Sequence, residues 1–255
     1  MGQNYKSFTV VLAVRVVKPV FEIYLVNLRF CLEALCHLDL NYSGGVLSRQ
    51  VVVVNFGSLP EYTKRIENLC NKYKCDYVYG NSKMWSRSRS LNLGIAKATG
   101  DRVFFIDADT ILPSNYVSEH LDNSSSSNYT VSLVYDSHVE NPREKSADVS
   151  RMRGLPGKIR NPGWSHMSVD REWIRINGGY NEEYIGWGGE DCDFELRLQI
   201  SGLQKKVIEN NPVHLWHPSY EILMKKIGGL EWFREQRIKN KNRYRKLLDQ
   251  SRGKK

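Results

Sequence analysis

The sequence has no apolar run of the length that crosses a membrane. Its 255 residues are 41% hydrophobic and 25% charged, which is ordinary for a globular protein. No stretch approaches the roughly 18 consecutive apolar residues that a membrane-spanning helix needs. No apolar segment near the start suggests a signal peptide, and Lys6 breaks the myristoylation pattern. From these absences we expect a cytoplasmic protein.

Cysteine is scarce, and internal repeats are absent. The five cysteines are odd in number and irregularly spaced, which favours free thiols in a reducing compartment over a disulfide framework. Because the chain shows neither a repeat nor a second compositional unit, its length predicts one large domain.

Acidic residues are scarce only near the C-terminus. Residues 224–255 contain 12 Lys and Arg against 3 Asp and Glu, whereas the other 223 residues contain 25 of each sign. Such a basic tail is attracted to an anionic membrane surface or an acidic glycan, which raises a peripheral position at the inner membrane face as an alternative location. A solvated helix with a frayed end explains the composition equally well. We expect no nucleic-acid partner, because no recognised nucleic-acid module accompanies the tail.

Hydrophobic patterning predicts alternating strands and helices. Apolar runs at residues 8–17, 51–54 and 103–106 predict buried strands, and apolar residues at helical spacing follow the first two runs. We therefore predict an α/β fold with a mostly parallel mixed sheet between helices, which binds ligands at the carboxyl ends of its strands. Further along, residues 130–135 and 164–169 predict single strands, and the polar, proline-containing stretch 136–163 predicts a long loop.

Two aspartates follow the most hydrophobic of these strands. Asp107 and Asp109 are two positions apart, so in an extended chain their side chains point the same way. Two carboxylates this close repel each other unless a cation lies beside them. Oxygen ligands suit Mn²⁺ or Mg²⁺. This Asp-x-Asp triplet therefore predicts a metal site.

A glycine-rich turn carries a second acidic pair. Residues 185–198 read Ile-Gly-Trp-Gly-Gly-Glu-Asp-Cys-Asp-Phe-Glu-Leu-Arg-Leu. Gly188 and Gly189 permit backbone angles that other residues avoid, and Glu190 and Asp191 then fall at a helix start, where N–H groups stabilise negative charge. A carboxylate presented in this way can deprotonate a hydroxyl group. An ordinary helix after a glycine turn is the structural alternative.

The run Trp-Gly-Gly-Glu-Asp resembles the motif of inverting GT-A glycosyltransferases, such as the β-1,4-galactosyltransferases and the bacterial chondroitin polymerases. The resemblance covers about residues 8–220 and implies a single GT-A domain. Its nucleotide-binding half would be residues 8–110 and its acceptor-binding, catalytic half residues 111–220, followed by the basic segment 221–255. It also implies that Asp191 is the general base and that Glu190 orients the acceptor or braces the loop.

The same resemblance implies a set of donor-binding residues. Arg15 matches an arginine that meets the nucleotide after the first strand, although an edge arginine reaching solvent is the alternative. Residues 55–58 read Asn-Phe-Gly-Ser where relatives commonly have Asp-Asp-Gly-Ser, so an amide replaces an acid that touches the base or ribose. Residues 85–94 match a run in which an arginine holds the donor. The implied donor-binding residues are Arg15, Asn55, Ser58, Arg87, Asp107, Trp187 and Gly189.

The resemblance also implies the metal ligands. In the galactosyltransferases a Met and a His three positions apart complete the metal site, and His214 and His217 have that spacing. Imidazole is a suitable ligand for Mn²⁺. We therefore expect Asp109 to bind the metal with the two histidines, of which His217 is the preferred ligand.

These features together predict a metal-dependent glycosyltransferase that uses a UDP-sugar donor and inverts the anomeric centre. The transferred unit would be Gal, GalNAc, Glc or GlcNAc, and the acceptor a hydroxyl of a saccharide or glycoconjugate. Retaining polypeptide GalNAc-transferases have Asn after the Glu, where this chain has Asp191. Two alternatives stay open: a non-catalytic glycan-binding protein on a degenerate transferase fold, and a nucleotidyltransferase.

Overall fold

The computed structural model describes residues 4–141, 143–160 and 166–252. The strands in chain order are β1 (Ser7–Val14), β2 (Asn41–Tyr42), β3 (Gly45–Val46), β4 (Ser48–Phe56), β5 (Asp76–Gly80), β6 (Arg102–Phe105), β7 (Thr110–Ile111), β8 (Asn128–Ser132), β9 (Val134–Ser137), β10 (Gly157–Arg160), β11 (Met167–Asp170), β12 (Gln204–Ile208) and β13 (Val213–His214). The helices are α1 (Glu22–Cys36), α2 (Pro60–Tyr73), α3 (Arg87–Lys97), α4 (Tyr116–Asp122), α5 (Val149–Arg153), α6 (Arg171–Asn177), α7 (Glu190–Ile200), α8 (Tyr220–Lys226) and α9 (Leu230–Arg252).

The central sheet has seven strands in the order β12-β8-β11-β6-β1-β4-β5. Strands β6, β1, β4 and β5 are parallel to one another, whereas β11 runs antiparallel to both β6 and β8. A second sheet has the order β10-β9-β13-β7, and β2 pairs with β3 in a hairpin. The mostly parallel mixed sheet confirms the predicted α/β fold.

Helices cover both faces of the central sheet. Residues of β6 alternate between two hydrophobic clusters: Phe104 packs in the cluster that contains the apolar face of α1, and Phe105 packs in the cluster that contains Phe194 and Leu198 of α7. This double burial explains the near-continuous apolar runs of the central strands. The motif helix α7 is thereby anchored in the core by its apolar side.

Two local predictions were wrong. The predicted single strand at residues 130–135 is divided between β8 and β9, which belong to different sheets, and Leu133 lies between them. The predicted loop 136–163 contains α5 and β10. Strand β10 pairs antiparallel with β9 although its side chains are half-buried or exposed, so it gives no apolar periodicity in the sequence. Pro142 and residues 161–165, with the start of the strand predicted at 164, lie outside the described residues.

The basic C-terminal segment forms α9, the helix predicted from Leu230 onward. Its first turns pack into the core through Phe233, and its only other buried residue within the described range is Asn240. Among the described residues, no helix has the length and apolar character needed to span a bilayer.

Candidate active site and metal centre

The aspartate pair lies in the turn after β6, at the carboxyl end of this central strand. The Thr110 N–H donates to the carbonyl of Asp107 at 3.1 Å, and β7 then starts at Thr110. Strand β13 pairs antiparallel with β7, in a register that puts His214 opposite Thr110. This short pairing brings the C-terminal histidines to the aspartates, more than 100 residues away along the chain.

Asp109, His214 and His217 form a compact cluster. One Asp109 oxygen, Oδ1, lies 3.4 Å from Nε2 of His214, and the other, Oδ2, lies 3.3 Å from Nε2 of His217. One ligand atom from each of the three residues lies within 4.8 Å of the others. The structure thus groups the three residues that the sequence predicts as metal ligands.

The orientation of both imidazoles suits a bound cation. Nδ1 of His217 donates to the carbonyl of Pro218 at 2.8 Å, and Nδ1 of His214 lies 3.3 Å from Oδ1 of Asp136. Each ring therefore directs Nε2 towards Asp109. Within the described residues, Oδ1 of Asp109 is buried without a hydrogen-bond partner. A buried carboxylate with an oxygen that has no hydrogen-bond partner, beside two imidazole nitrogens, suits a divalent cation that accepts N and O ligands.

The electrostatics of this cluster favour positive charge. Burial opposes the charge of His214, but Asp109 and Asp136 outweigh it and raise the pKa of His214 to about 10. Burial likewise opposes ionisation of Asp109, yet the His214 charge holds the pKa of that carboxyl well below its usual range. A site that stabilises an imidazolium between carboxylates offers the same stabilisation to a metal ion.

The second acidic pair begins α7, after a turn that requires glycine. Gly188 and Gly189 have φ values of 96° and 94°, a region that side chains disfavour. A Cβ atom on Gly189 would also lie 2.9 Å from the ring of Tyr184. The turn places Glu190 and Asp191 in the first turn of the helix, as predicted.

Arg87 joins the two acidic pairs. Its buried guanidinium donates to Oδ1 of Asp191 and, at 3.1 Å, to Oδ1 of Asp107. One side chain thus spans from the metal-site turn to the motif helix. Asp107, Asp191 and the Asp109–His214–His217 cluster therefore lie beside one another at the carboxyl end of β6.

The two motif acids differ in environment. Glu190 is only 3% exposed and its Oε2 has no hydrogen-bond partner among the described residues. Burial and then the charge of Asp191 raise the pKa of Glu190 to about 7. Asp191 is half-buried and paired with Arg87; burial raises its pKa, and Arg87 opposes the rise. Asp191 is thus the more accessible of the two carboxylates.

Three predicted donor-binding residues make internal hydrogen bonds. Arg15 donates to the carbonyl of Lys83 at 2.6 Å. Asn55 is fully buried, and its amide donates to Thr63 and Tyr77. Ser58 accepts from the Val16 N–H at 2.8 Å. These bonds fix loops at the carboxyl edge of the sheet, and the roles of the three residues in donor binding stay predictions.

Trp187 lies at the rim of the site and is 46% exposed. The guanidinium carbon of Arg237 lies 5.8 Å from the centre of its ring. Asn240, also on α9, donates to the carbonyls of Ile185 and Trp187 at 2.9 and 3.5 Å. Helix α9 therefore supports the motif loop from outside.

Sequence reasoning missed several residues around the site. Asp136 faces His214, and Asn240 holds the motif loop. Lys145 is buried and donates to the carbonyl of Trp216, between the two histidines, at 2.7 Å. None of these residues belongs to a motif, since strand register and helix packing bring them to the site. The burial of Asn240 in a polar helix has no signature in the sequence.

Two family models match the chain. The model described as "Glycosyltransferase like family 2" matches residues 46–142, and the one described as "N-terminal domain of galactosyltransferase" matches residues 159–219. The first match contains the aspartate pair that follows β6. The second contains the Glu-Asp pair and both histidines. Matches to glycosyltransferase family models thus lie in both halves of the chain, which confirms the predicted resemblance.

Two curated proteins show the same resemblance over parts of the chain. β-1,4-Galactosyltransferase 3 of Cricetulus griseus is 27% identical over 139 residues, which are 52% of this chain and 30% of that protein. Hyaluronan synthase of Pasteurella multocida is 22% identical over 199 residues, 63% of this chain and 20% of that protein. The chain therefore spans less than a third of either relative.

Solved structures share the fold. Staphylococcus aureus TarS 1–349 in complex with UDP-GlcNAc has a TM-score of 0.60 at 15% identity, over 84% of this chain and 59% of that one. The mannosyltransferase PcManGT of Pyrobaculum calidifontis, in complex with GDP-Man and Mn²⁺, has a TM-score of 0.57 at 13% identity, over 87% and 60%. The chain has the GT-A fold, as predicted.

Proposed function

We propose that this chain is a metal-dependent inverting glycosyltransferase, which moves a hexose or N-acetylhexosamine from a UDP-sugar to a hydroxyl of a saccharide or glycoconjugate. The observation that carries the proposal is the grouping of the motif residues: Arg87 links Asp107 to Asp191, and Asp109 lies against the two histidines. The similarity to TarS with UDP-GlcNAc and to galactosyltransferase sequence supports a UDP-sugar donor.

Asp109, His214 and His217 would hold the cation, for which Mn²⁺ is the better candidate than Mg²⁺ because two of three ligands are imidazoles. When bound, the cation would offset the charge that develops on the UDP leaving group. The Mn²⁺ in the related mannosyltransferase structure supports this assignment.

Asp191 would accept the proton of the acceptor hydroxyl as its oxygen forms a bond to the anomeric carbon. The bond from that carbon to the diphosphate oxygen breaks on the opposite face, so the configuration inverts. Arg87 fixes the carboxylate of Asp191, and burial raises its pKa towards the range of an effective base. Glu190, more deeply buried, would brace the loop, and Trp187 would stack on a sugar ring.

A Mn²⁺-dependent screen of UDP-sugars tests the proposal. We expect release of UDP and transfer of sugar with one donor, and loss of both when Mn²⁺ is chelated. NMR of the product would then show inverted anomeric configuration. Release of pyrophosphate would indicate a nucleotidyltransferase instead, and saccharide binding without any UDP release would indicate a glycan-binding protein.

The basic helix α9 supports a second, independent proposal about a partner. Arg237, Lys241 and Arg245 follow one another at four-residue spacing, are exposed, and have no ion pair among the described residues. We propose that this row contacts an anionic membrane surface. Co-sedimentation with phosphatidylserine vesicles, but not with phosphatidylcholine vesicles, is the expected result. Equal recovery with both vesicle types would contradict it.

A further inference from the structure

We propose that Asp136 is a positioning residue of the metal centre: it fixes the ring of His214 and thereby sets the affinity of the site for a divalent cation. The inference rests on the proposed function, because it concerns the same metal site. Asp136 belongs to no motif, and neither the sequence pattern nor the similarity to glycosyltransferases assigns it a role.

Strand register creates the contact. Strand β13 pairs in parallel with β9, and in this register His214 is the partner of Asp136. On its other side β13 pairs with β7, where His214 is the partner of Thr110. The main chain of His214 is therefore held between two strands. Its position relative to Asp136 follows from backbone pairing and does not depend on a flexible loop.

The side chains complete a carboxylate–imidazole arrangement. Oδ1 of Asp136 lies 3.3 Å from Nδ1 of His214, while Nε2 of the same ring lies 3.4 Å from Asp109. An acceptor at Nδ1 keeps a proton there and leaves the lone pair on Nε2 for a cation. Such an acceptor also orients the ring and makes it a stronger ligand.

Arg160 forms an ion pair with Asp136. Its Nε lies 2.9 Å from the same Oδ1 atom, and β10 brings it there by pairing with β9. His217 offers a contrast, because its Nδ1 donates to the main-chain carbonyl of Pro218 at 2.8 Å. The Tyr24 hydroxyl also lies 3.3 Å from this nitrogen, so the contacts at Nδ1 of His217 do not involve Asp136.

The affinity of the chain for Mn²⁺, measured without a sugar donor from the EPR signal of the free ion, tests the inference. We expect Asp136→Ala to weaken Mn²⁺ binding by about 10- to 100-fold. Asp136→Asn should weaken it less, because the amide oxygen still accepts from Nδ1. Glu140→Gln is the matched control: it removes one exposed negative charge from the same segment and should leave the affinity unchanged.

Affinities of the Asp136 variants within twofold of the wild type would overturn the inference. If Asp136→Ala does not fold, the isosteric Asn variant decides: a loss of more than twofold supports the inference, and an affinity within twofold of the wild type overturns it. A wild-type chain that binds no Mn²⁺ would overturn both this inference and the proposed metal centre. If the wild type binds Mn²⁺ and substitution of Asp136 does not change the affinity, this inference alone would be overturned.

Discussion

At the residue scale, Arg87 is the cation that permits two acidic groups to lie close together. It is 7% exposed and contacts both Asp107 and Asp191. Arg87→Met would leave two partly buried carboxylates without their cation, so we expect it to lower the free energy of unfolding by about 3 kcal/mol. Arg87→Lys should cost less, because charge remains. Urea denaturation measures both, and a Met variant as stable as the wild type would show that the pairing contributes nothing.

Asp191 carries the proposed proton transfer, so its substitution should separate binding from turnover. Asp191→Asn keeps the size of the side chain and loses the base. We expect turnover to fall by roughly 10²- to 10⁴-fold, with UDP and Mn²⁺ affinity nearly unchanged. Steady-state kinetics measures the turnover, and calorimetry measures the affinity for UDP. Near-normal turnover would remove Asp191 from the mechanism.

Glu190 should make stability depend on pH. Burial raises its pKa from 4.5 to about 7, so between these values the folded chain binds more protons than the unfolded chain. The free energy of unfolding contributed by this group therefore falls as pH rises from about 4.5 to 7 and is constant above that. Glu190→Gln should gain stability relative to the wild type over this window, by about 1 to 3 kcal/mol. Denaturation at pH 5 and pH 7.5 would show the gain, and a constant difference would contradict it.

At the element scale, the sequence predicts the central strands and motif helix well and the second sheet poorly. The runs at β1, β4 and β6 are apolar because helices cover both faces, so the local pattern suffices. Nothing local marks the break at Leu133, because the residues on both sides of it are buried. The break arises because β8 pairs with β11 and β12, whereas β9 pairs with β10 and β13. Asp136 reaches His214 by this pairing, which is why sequence reasoning missed it.

Helix α9 should matter for acceptor use through Asn240. This side chain is 2% exposed and satisfies main-chain carbonyls in the motif loop. Asn240→Ala would leave these carbonyls without that donor, and we expect a loss of about 1 to 3 kcal/mol in stability. We also expect a higher KM for the acceptor. Lys239→Ala, at the exposed neighbouring position, is the control. Unchanged stability and unchanged KM in the Asn240 variant would refute the supporting role of α9.

At the scale of the whole molecule, residues from distant parts of the chain lie together at the carboxyl end of the central strand β6. Arg87 begins α3, the aspartates follow β6, the acidic pair begins α7, and the histidines lie on and after β13. The motifs predicted that these groups would lie together, and in the structure Arg87 contacts Asp107 and Asp191 while Asp109 lies against both histidines. The internal bonds of Asn55 and Ser58 were not predictable, because they depend on partners from α2, β5 and the segment after β1.

The central claim is that Asp109, His214 and His217 hold the cation on which sugar transfer depends. Crystals grown with MnCl₂ and measured at the manganese absorption edge test it most directly. The account predicts one anomalous peak per chain, in contact with the Asp109 carboxylate and with Nε2 of both histidines. A peak at other residues, or none at these three, would contradict it.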